Sequence, residues 1–458
     1  MKMLESVLRE DVLKVLNSKA PSTGSFLLEA ECKTKAGLPI KITRIYELLL
    51  TRDYAHNIGD DIVLVCEVSR ATYEHLLYPN RADIRISLTK TPCDKNGDNP
   101  KLPETSDYRA ILTDPVDNTF NTASMGGDTL KDKEMDNYPI ALQLVDIELE
   151  DALEIELSGV LYEADVHETI ETLVSNFGQF GISVHPVDND GIKDQIVLEQ
   201  GLPILEFANW LQSKSIGVYN YGCNTYFISG KSIGAKPAGN IPGKSVYNAP
   251  GWIYVYPPLL LGNHEYRKRH IIYRCASDEL VGVENTYRVE DEVAHLVITG
   301  DVEFVDTTEK REREMGNVIV YDSEPNYLDG RVIHDNGTTT FDNTTWTHVA
   351  DKNRRVNHVK TYHRQTSNIY RENSRISESL GKFIEVTWEN PNSIIFPPNT
   401  EVELYYVNVD KLYKLEGVVV GYKQVSKEIP IKGSRSVFRP IANLRIRVSE
   451  ITEDNIVS

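Results

Sequence analysis

Residues 145–157 run Val-Asp-Ile-Glu-Leu-Glu-Asp-Ala-Leu-Glu-Ile-Glu-Leu, and no other stretch limits the fold so narrowly. Apolar side chains occupy positions 145, 147, 149, 153, 155 and 157, and carboxylates occupy 146, 148, 150, 154 and 156. Alternate residues of a strand face opposite ways. The period of two therefore predicts one strand, or two in a hairpin, with an oily face and an acidic one. Like charges at neighbouring same-face sites repel, which keeps the acidic face in water. Asp146, Glu148, Glu150, Glu154 and Glu156 are expected to form that acidic wall.

The stretches on either side are mostly strand-like. Ile40–Tyr46 and Ile84–Leu88 alternate, and Ile62–Cys66 is a short buried-strand run. Thr72–Leu77 reads as one helical turn between them. Short strands at regular spacing over residues 26–115 suggest an antiparallel barrel or sandwich. An amphipathic helix is expected at the start of the chain, with Leu4, Val7, Leu8, Val12, Val15 and Leu16 on one face.

After the acidic stretch the period changes. Asp165 and Glu168 have the spacing of a helix cap, and Val166, Ile170, Leu173, Val174 and Phe177 share a face that ends at Gly178. Ile182–Val184 is a strand, a second helix opens at Pro203 and carries Leu205, Phe207, Trp210 and Leu211, and Thr225–Ile228 is a strand again. Further strands are predicted at 252–256, 270–273, 296–299 and 318–321. Residues 322–380 are polar and rich in Asn and Thr, which reads as an extended insertion ordered against something else. A last β unit starts at Phe383, with strands at Ile384–Val386, Val402–Tyr406, Val418–Val420 and Leu444–Val448.

At 458 residues the chain should divide into about three domains of roughly 150 residues. Its composition, 40% hydrophobic and 26% charged, is that of a globular protein. The first residues lack signal-peptide order, and the apolar runs fall far short of the roughly 20 residues needed to span a bilayer. These features predict a protein made in the cytoplasm with no membrane insertion. Cys32, Cys66, Cys93, Cys223 and Cys275 follow no motif and read as reduced thiols. The net charge of −19 opposes a tight grip on nucleic acid, which needs Lys and Arg on phosphates.

No catalytic or ligand motif fits the sequence. The phosphate loops, the nucleophile elbow and the zinc helix are absent, and no cofactor or metal is expected. Asp188-Asn189-Asp190-Gly191 has its glycine fourth where a calcium loop needs it sixth, so a turn is the better reading. Trp210, Tyr219, Tyr221 and Tyr226 could line a glycan cleft, although helix and strand core account for two of them. The 24 tyrosines also suit protein contact surfaces. His348, His358 and His363 lack metal-ligand spacing.

Charge is uneven along the chain. Residues 128–171 hold fourteen Asp and Glu against two Lys, and residues 352–375 hold seven Lys and Arg against one Glu. These are either two solvated faces or complementary patches on copies of the chain, with Arg354, Arg355, Lys360 and Arg364 as candidate subunit contacts.

A β unit over 26–115, the acidic stretch, Leu161–Leu173 and then Leu202–Leu211 leading into Gly217-Val218-Tyr219 follow one another in a distinctive order. Over residues 26–320 this order resembles the baseplate hub proteins of contractile-tailed phages and their relatives in other contractile injection machines. The resemblance implies two tail-tube-like antiparallel β-barrels with α/β inserts, and the last β unit, of the size of a small C-terminal β-barrel, completes a mainly β fold. Together with the residue pattern it divides the chain into an N-terminal helix and linker (1–25), a first barrel (26–127), a second barrel (128–320) with a helix–strand–helix–strand insert near 160–230, the polar insertion (321–380) and a C-terminal β domain (381–458).

The resemblance also implies a non-enzymatic structural protein of the virion, assembled in the host cytoplasm. As a homotrimeric ring it would join the tail tube protein to the central spike protein, with wedge proteins as further candidate partners, and DNA would pass through its channel. The acidic set Asp146, Glu148, Glu150, Glu154 and Glu156 would then repel phosphate from the channel wall. Two other readings stand beside this one: another tail or baseplate component such as a wedge or tail-tip protein, and a carbohydrate-binding or glycan-cleaving module.

Overall fold

The computed structural model describes residues 24–113, 137–258 and 382–448 apart from gaps, and the backbone of strands between 269 and 341 and at 456–457. The amino-terminal helix expected over Leu4–Leu16, the contacts Arg354, Arg355, Lys360 and Arg364, and Tyr221 lie outside the described residues.

The fold is mainly β. The first unit contains β1 (Phe26–Thr34), β2 (Pro39–Ile40), β3 (Ile42–Asp53), β4 (Asp61–Ser69), β5 (Ile84–Pro92), β6 (Glu104–Thr113) and β7 (Asn137–Asp146). The helical turn expected at 72–77 forms within residues 70–80, between β4 and β5. The insert follows with α1 (Ile147–Leu153), β8 (Glu156–Ala164), α2 (Val166–Gly178), β9 (Gly181–Val184), β10 (Lys193–Pro203), α3 (Phe207–Ser213), β11 (Asn224–Ser229) and β12 (Gly251–Tyr256). Next are β13 (Arg269–Arg274), β14 (Thr286–Arg288), β15 (Val293–Thr299), β16 (Asp301–Val305), β17 (Asn317–Val320), β18 (Arg331–His334) and β19 (Thr339–Phe341). The last strands are β20 (Lys382–Glu389), β21 (Glu401–Asn408), β22 (Lys411–Pro430), β23 (Ser436–Val448) and β24 (Ile456–Val457). Within the polar stretch, β18 and β19 pair antiparallel and β18 also pairs with β17.

Strand pairing closes a ring across the whole length of the chain. The order β22-β3-β4-β7-β6-β5-β1-β23 returns to its start because β22 also pairs with β23. The segment after Phe383 thus supplies two walls of the first barrel. The seam between β1 and β23 is one register pair, Phe26 opposite Phe438, whose rings stack at 5.8 Å. Closure removes the open edges that would otherwise invite foreign strands.

The long hairpin serves two layers. A strand of 20 residues spans roughly 65 Å, more than one sheet needs. The later half of β22 pairs with β3, while its earlier half pairs with β21, which leads on to β13 and β15. The edge partner changes where the register shifts between Val419 and Gly421, and the Val420 carbonyl accepts from the Tyr54 N–H at 3.2 Å. An extra residue at such a point bends a strand and increases its twist, which suits a hand-over between sheets.

Two cores result. The barrel core includes Leu64, Ile86, Leu142, Trp388, Leu444 and Ile446, and the insert core includes Val166, Ile170, Leu173, Phe207 and Leu211. The β11–β12 hairpin joins them through its own period of two. Tyr226, Ile228, Tyr254 and Tyr256 face the barrel core, while Phe227, Ile253 and Val255 face the insert core.

Candidate functional site

The stretch expected as one acidic strand is not a strand. Chain geometry at its start explains why. Leu144 pairs with Ile62, and β4 begins one residue earlier, at Asp61, so the ladder on that side runs out near Asp146. Asp146 then caps α1, its Oδ1 accepting from the N–H groups of Glu148 (2.9 Å) and Leu149 (3.3 Å). Carboxylates in the first turn, Glu148 and Glu150, suit the positive end of the helix dipole. With β4 spent on one side, capping and dipole favour a helix even though β6 runs on to Glu104 on the other, and the expected two-faced strand is corrected to a strand end, a helix and a new strand.

The five acidic residues therefore separate. Asp146 is buried, 6% exposed, opposite Tyr108 of β6. Glu148 accepts from the Ser229 hydroxyl of β11 at 2.6 Å. Burial, together with the nearby Glu148 carboxylate, holds the Asp146 carboxyl well above the usual range. Glu150 pairs with Arg109 of β6 at 2.7 Å. Glu154 ends α1 and Glu156 opens β8, both exposed.

Next to this corner lies a polar joint that the residue pattern does not reveal. Arg52 of β3 donates from Nε and Nη2 to the two carboxylate oxygens of Asp60 at 2.8 and 2.7 Å, with side chains 1% and 7% exposed. The Tyr226 hydroxyl donates to Asp60 Oδ1 at 2.9 Å, and its ring meets Tyr54 edge-on at 4.8 Å. Tyr256 Oη and Asn224 Nδ2 both donate to the Tyr54 carbonyl. A two-pronged, fully bonded pair like this fixes geometry, and losing either partner strands a buried charge. Nothing in the spacing of Arg52, Asp60 and Tyr226 signals it.

The insert itself follows its helix signals closely. Asp165 Oδ1 accepts from the Glu168 N–H at 2.9 Å, as the cap spacing predicts. Pro203 sits in extended backbone just ahead of the Ile204–Glu206 turn that leads into α3, not inside its first turn. Gln212 is buried and closes the chain after α3, accepting from the Val218 and Tyr219 N–H groups and donating to the Tyr219 carbonyl. Tyr219 and Tyr226 are fully buried, so they do not line a glycan cleft. Asp188 and Gly191 fall between β9 and β10, and Asn189 and Asp190 lie outside the described residues. Cys32, Cys66 and Cys93 are buried, Cys223 is half-buried, and none of the four is in a disulfide; Cys275 lies outside the described residues. No helix among the described residues is long and apolar enough to cross a membrane.

One face of the insert stays open. β8 and β10 form a two-stranded sheet in which Leu161 lies opposite Ile196 and Val160 opposite Val197. Ile196 and Leu198 turn into the insert core, whereas Val160, Tyr162 and Val197 are 43%, 71% and 57% exposed. Glu163 beside them holds a left-handed φ of 49°, unusual for a residue with a side chain.

No protein-family model matches this chain, and no curated protein matches its sequence. Several solved structures align with most of its length at low identity. One is the tail protein from Neisseria meningitidis MC58, at 11% identity and a TM-score of 0.40, covering 93% of this chain and 96% of that one. Another is the 43 kDa tail protein of prophage MuSo2 from Shewanella oneidensis, at 10% identity and a TM-score of 0.41, covering 92% and 97%. A third is an E. coli component of the type VI secretion system, described as similar to T4 bacteriophage tail proteins, at 6% identity and a TM-score of 0.37, covering 93% and 78%.

Proposed function

We propose that this chain is a structural component of a contractile tail or related injection machine, and within it a baseplate hub. In this reading three copies form a ring that joins the tail tube to the central spike and lets DNA pass. What carries the reading is the closed antiparallel barrel whose hairpin β22–β23 runs on into a second β layer, with a helix-bearing insert between the barrel strands in sequence. A barrel without free edges can stack in a tube without polymerising sideways. The net charge of −19 suits a passage that phosphates cross without sticking. Of the five carboxylates expected on a channel wall, Asp146 is interior, Glu148 is bonded to Ser229 and Glu150 is paired with Arg109, so that role is proposed for Glu154 and Glu156.

The test is assembly. The purified chain is mixed with candidate tube and spike proteins, its mass is measured in solution, and the complex is imaged by electron microscopy. A three-copy ring between tube and spike is the expected result. A monomer that joins neither partner, or one that cleaves a glycan, would sink the proposal.

A further inference from the structure

The open face of the β8–β10 ribbon has the chemistry of a docking strip. Val160, Tyr162 and Val197 form a compact apolar row on one side of a two-stranded sheet whose other side is already packed. Both ribbon edges are unpaired among the described residues, leaving backbone groups ready for an added strand. The surroundings are strongly acidic. Between residues 146 and 212 the sequence has fifteen Asp and Glu and a single lysine, Lys193. Glu163 and Glu199 are exposed beside the apolar row, and Glu199 shares the face of Val197 by strand alternation.

An acidic strip with an apolar stripe selects against itself. Two copies of the ribbon laid face to face would set carboxylate against carboxylate, so the occupant must be basic and must carry apolar side chains at short intervals. The chain contains such a stretch. Residues 352–364 read Lys-Asn-Arg-Arg-Val-Asn-His-Val-Lys-Thr-Tyr-His-Arg, with five Lys and Arg, no carboxylate, and Val356, Val359 and Tyr362 among them.

We propose that the β8–β10 ribbon of one copy is the docking surface for the 352–364 stretch of a second copy. This rests on the reading of the chain as a self-assembling tail component, and it names the surface through which neighbouring copies engage. Association is head-to-tail, because the two surfaces differ, and head-to-tail contacts give a ring where the rotation between copies closes. The left-handed turn at Glu163 leaves its carboxylate at the end of the strip, within the acidic shoulder that the basic residues would meet.

The test uses the full-length protein and a fluorescent synthetic peptide of residues 352–364. Saturable binding is expected, weakening steeply as salt rises from about 50 to about 300 mM, since exposed charge pairs are screened over that range. A Val160→Ser/Tyr162→Ser variant should bind about tenfold more weakly, because it loses the apolar stripe and leaves the buried face intact. A Glu163→Lys/Glu199→Lys variant should lose the salt dependence, and it should recover binding to a peptide carrying R354E and K360E. Thermal melts check that both variants remain folded. Absence of saturable binding, or equal affinity for the wild type and the serine variant, overturns the docking. Either result leaves the hub reading open to its own test, since a three-copy ring seen between tube and spike would still stand.

Discussion

Two stretches of this chain carry nearly the same alternation and meet different fates. Leu444-Arg445-Ile446-Arg447-Val448 is a strand, with Leu444, Ile446 and Val448 at most 2% exposed. Val145–Leu157 alternates over more residues and breaks into strand end, helix and new strand. The difference lies in the neighbours. Residues 444–448 sit between β20 and β22, so every backbone group has a partner in reach. Their arginines are also accommodated: Arg445 lies 4.4 Å over the Phe383 ring and Arg447 donates to the Pro258 carbonyl. Beyond Asp146 the flanking strand β4 has already ended, and a capping aspartate followed by Glu, Leu and Ala offers local bonds instead. Alternation shows which faces are possible. Partners decide whether a strand exists.

The strongest way to break this comparison is to place the same substitution in both stretches. Ile446→Asp buries a charge in a fully packed barrel wall and should cost more than about 4 kcal/mol, enough to abolish cooperative folding. Leu149→Asp falls on a half-buried helix face over Gly59 and should cost about 1–2 kcal/mol. Urea unfolding followed by circular dichroism measures both. Equal costs would mean that the two stretches are anchored alike, and the presence or absence of partner strands would no longer explain their different fates.

That contrast also shows what is legible in the sequence. Elements with strong local signals are readable: the Asp165 cap, the α2 face, and the strands at Ile62–Cys66 and Leu444–Val448 all form. What cannot be read is carried by contacts between residues far apart. The barrel closes through Phe26 and Phe438, separated by most of the chain, and no periodicity signals such a pair. The Arg52–Asp60–Tyr226 joint joins a strand, a loop and the insert hairpin, each unremarkable on its own. The acidic stretch misleads because strand and helix signals overlap there. Asp146, Leu149, Ala152 and Leu153 fit a capped helix as well as the odd positions fit a strand.

A second, smaller effect concerns Asp146, whose cap is what ends the strand. Asp146→Ala removes the acceptor for two N–H groups and should cost about 1 kcal/mol at pH 5. Asp146→Asn keeps that oxygen and removes the ionisation. Burial beside Glu148 pushes the carboxyl up to about 8 in the folded chain, against about 3.9 unfolded. The native state therefore binds the extra proton between those values. Its stabilisation is complete below the unfolded value and is lost as pH rises toward the folded one. Wild type should weaken between about pH 4 and pH 8 relative to Asp146→Asn. Paired melts at pH 5 and pH 8 measure this, and parallel pH profiles for the two proteins would contradict the buried, protonated state.

The smallest effect sharpens the same comparison through charge alone. Arg109 and Glu150 pair at 2.7 Å across the corner where α1 leaves the barrel, with side chains 26% and 30% exposed. Water reaches both partners, so the Coulomb attraction is screened and side-chain ordering offsets part of it. A double-mutant cycle with Arg109→Gln and Glu150→Gln should give a coupling of about 0.5 kcal/mol that vanishes at about 1 M salt. On the barrel side, Arg447 is only 5% exposed and bonds a backbone carbonyl that added salt does not titrate. Removing it through Arg447→Met should cost more than the Glu150 coupling and depend little on salt, because the loss is of a shielded hydrogen bond and packed stem. If the two arginines respond to salt alike, the corner at Asp146 is as closed as the barrel wall. The helix there would then owe its existence to packing instead of to the end of its partner strand.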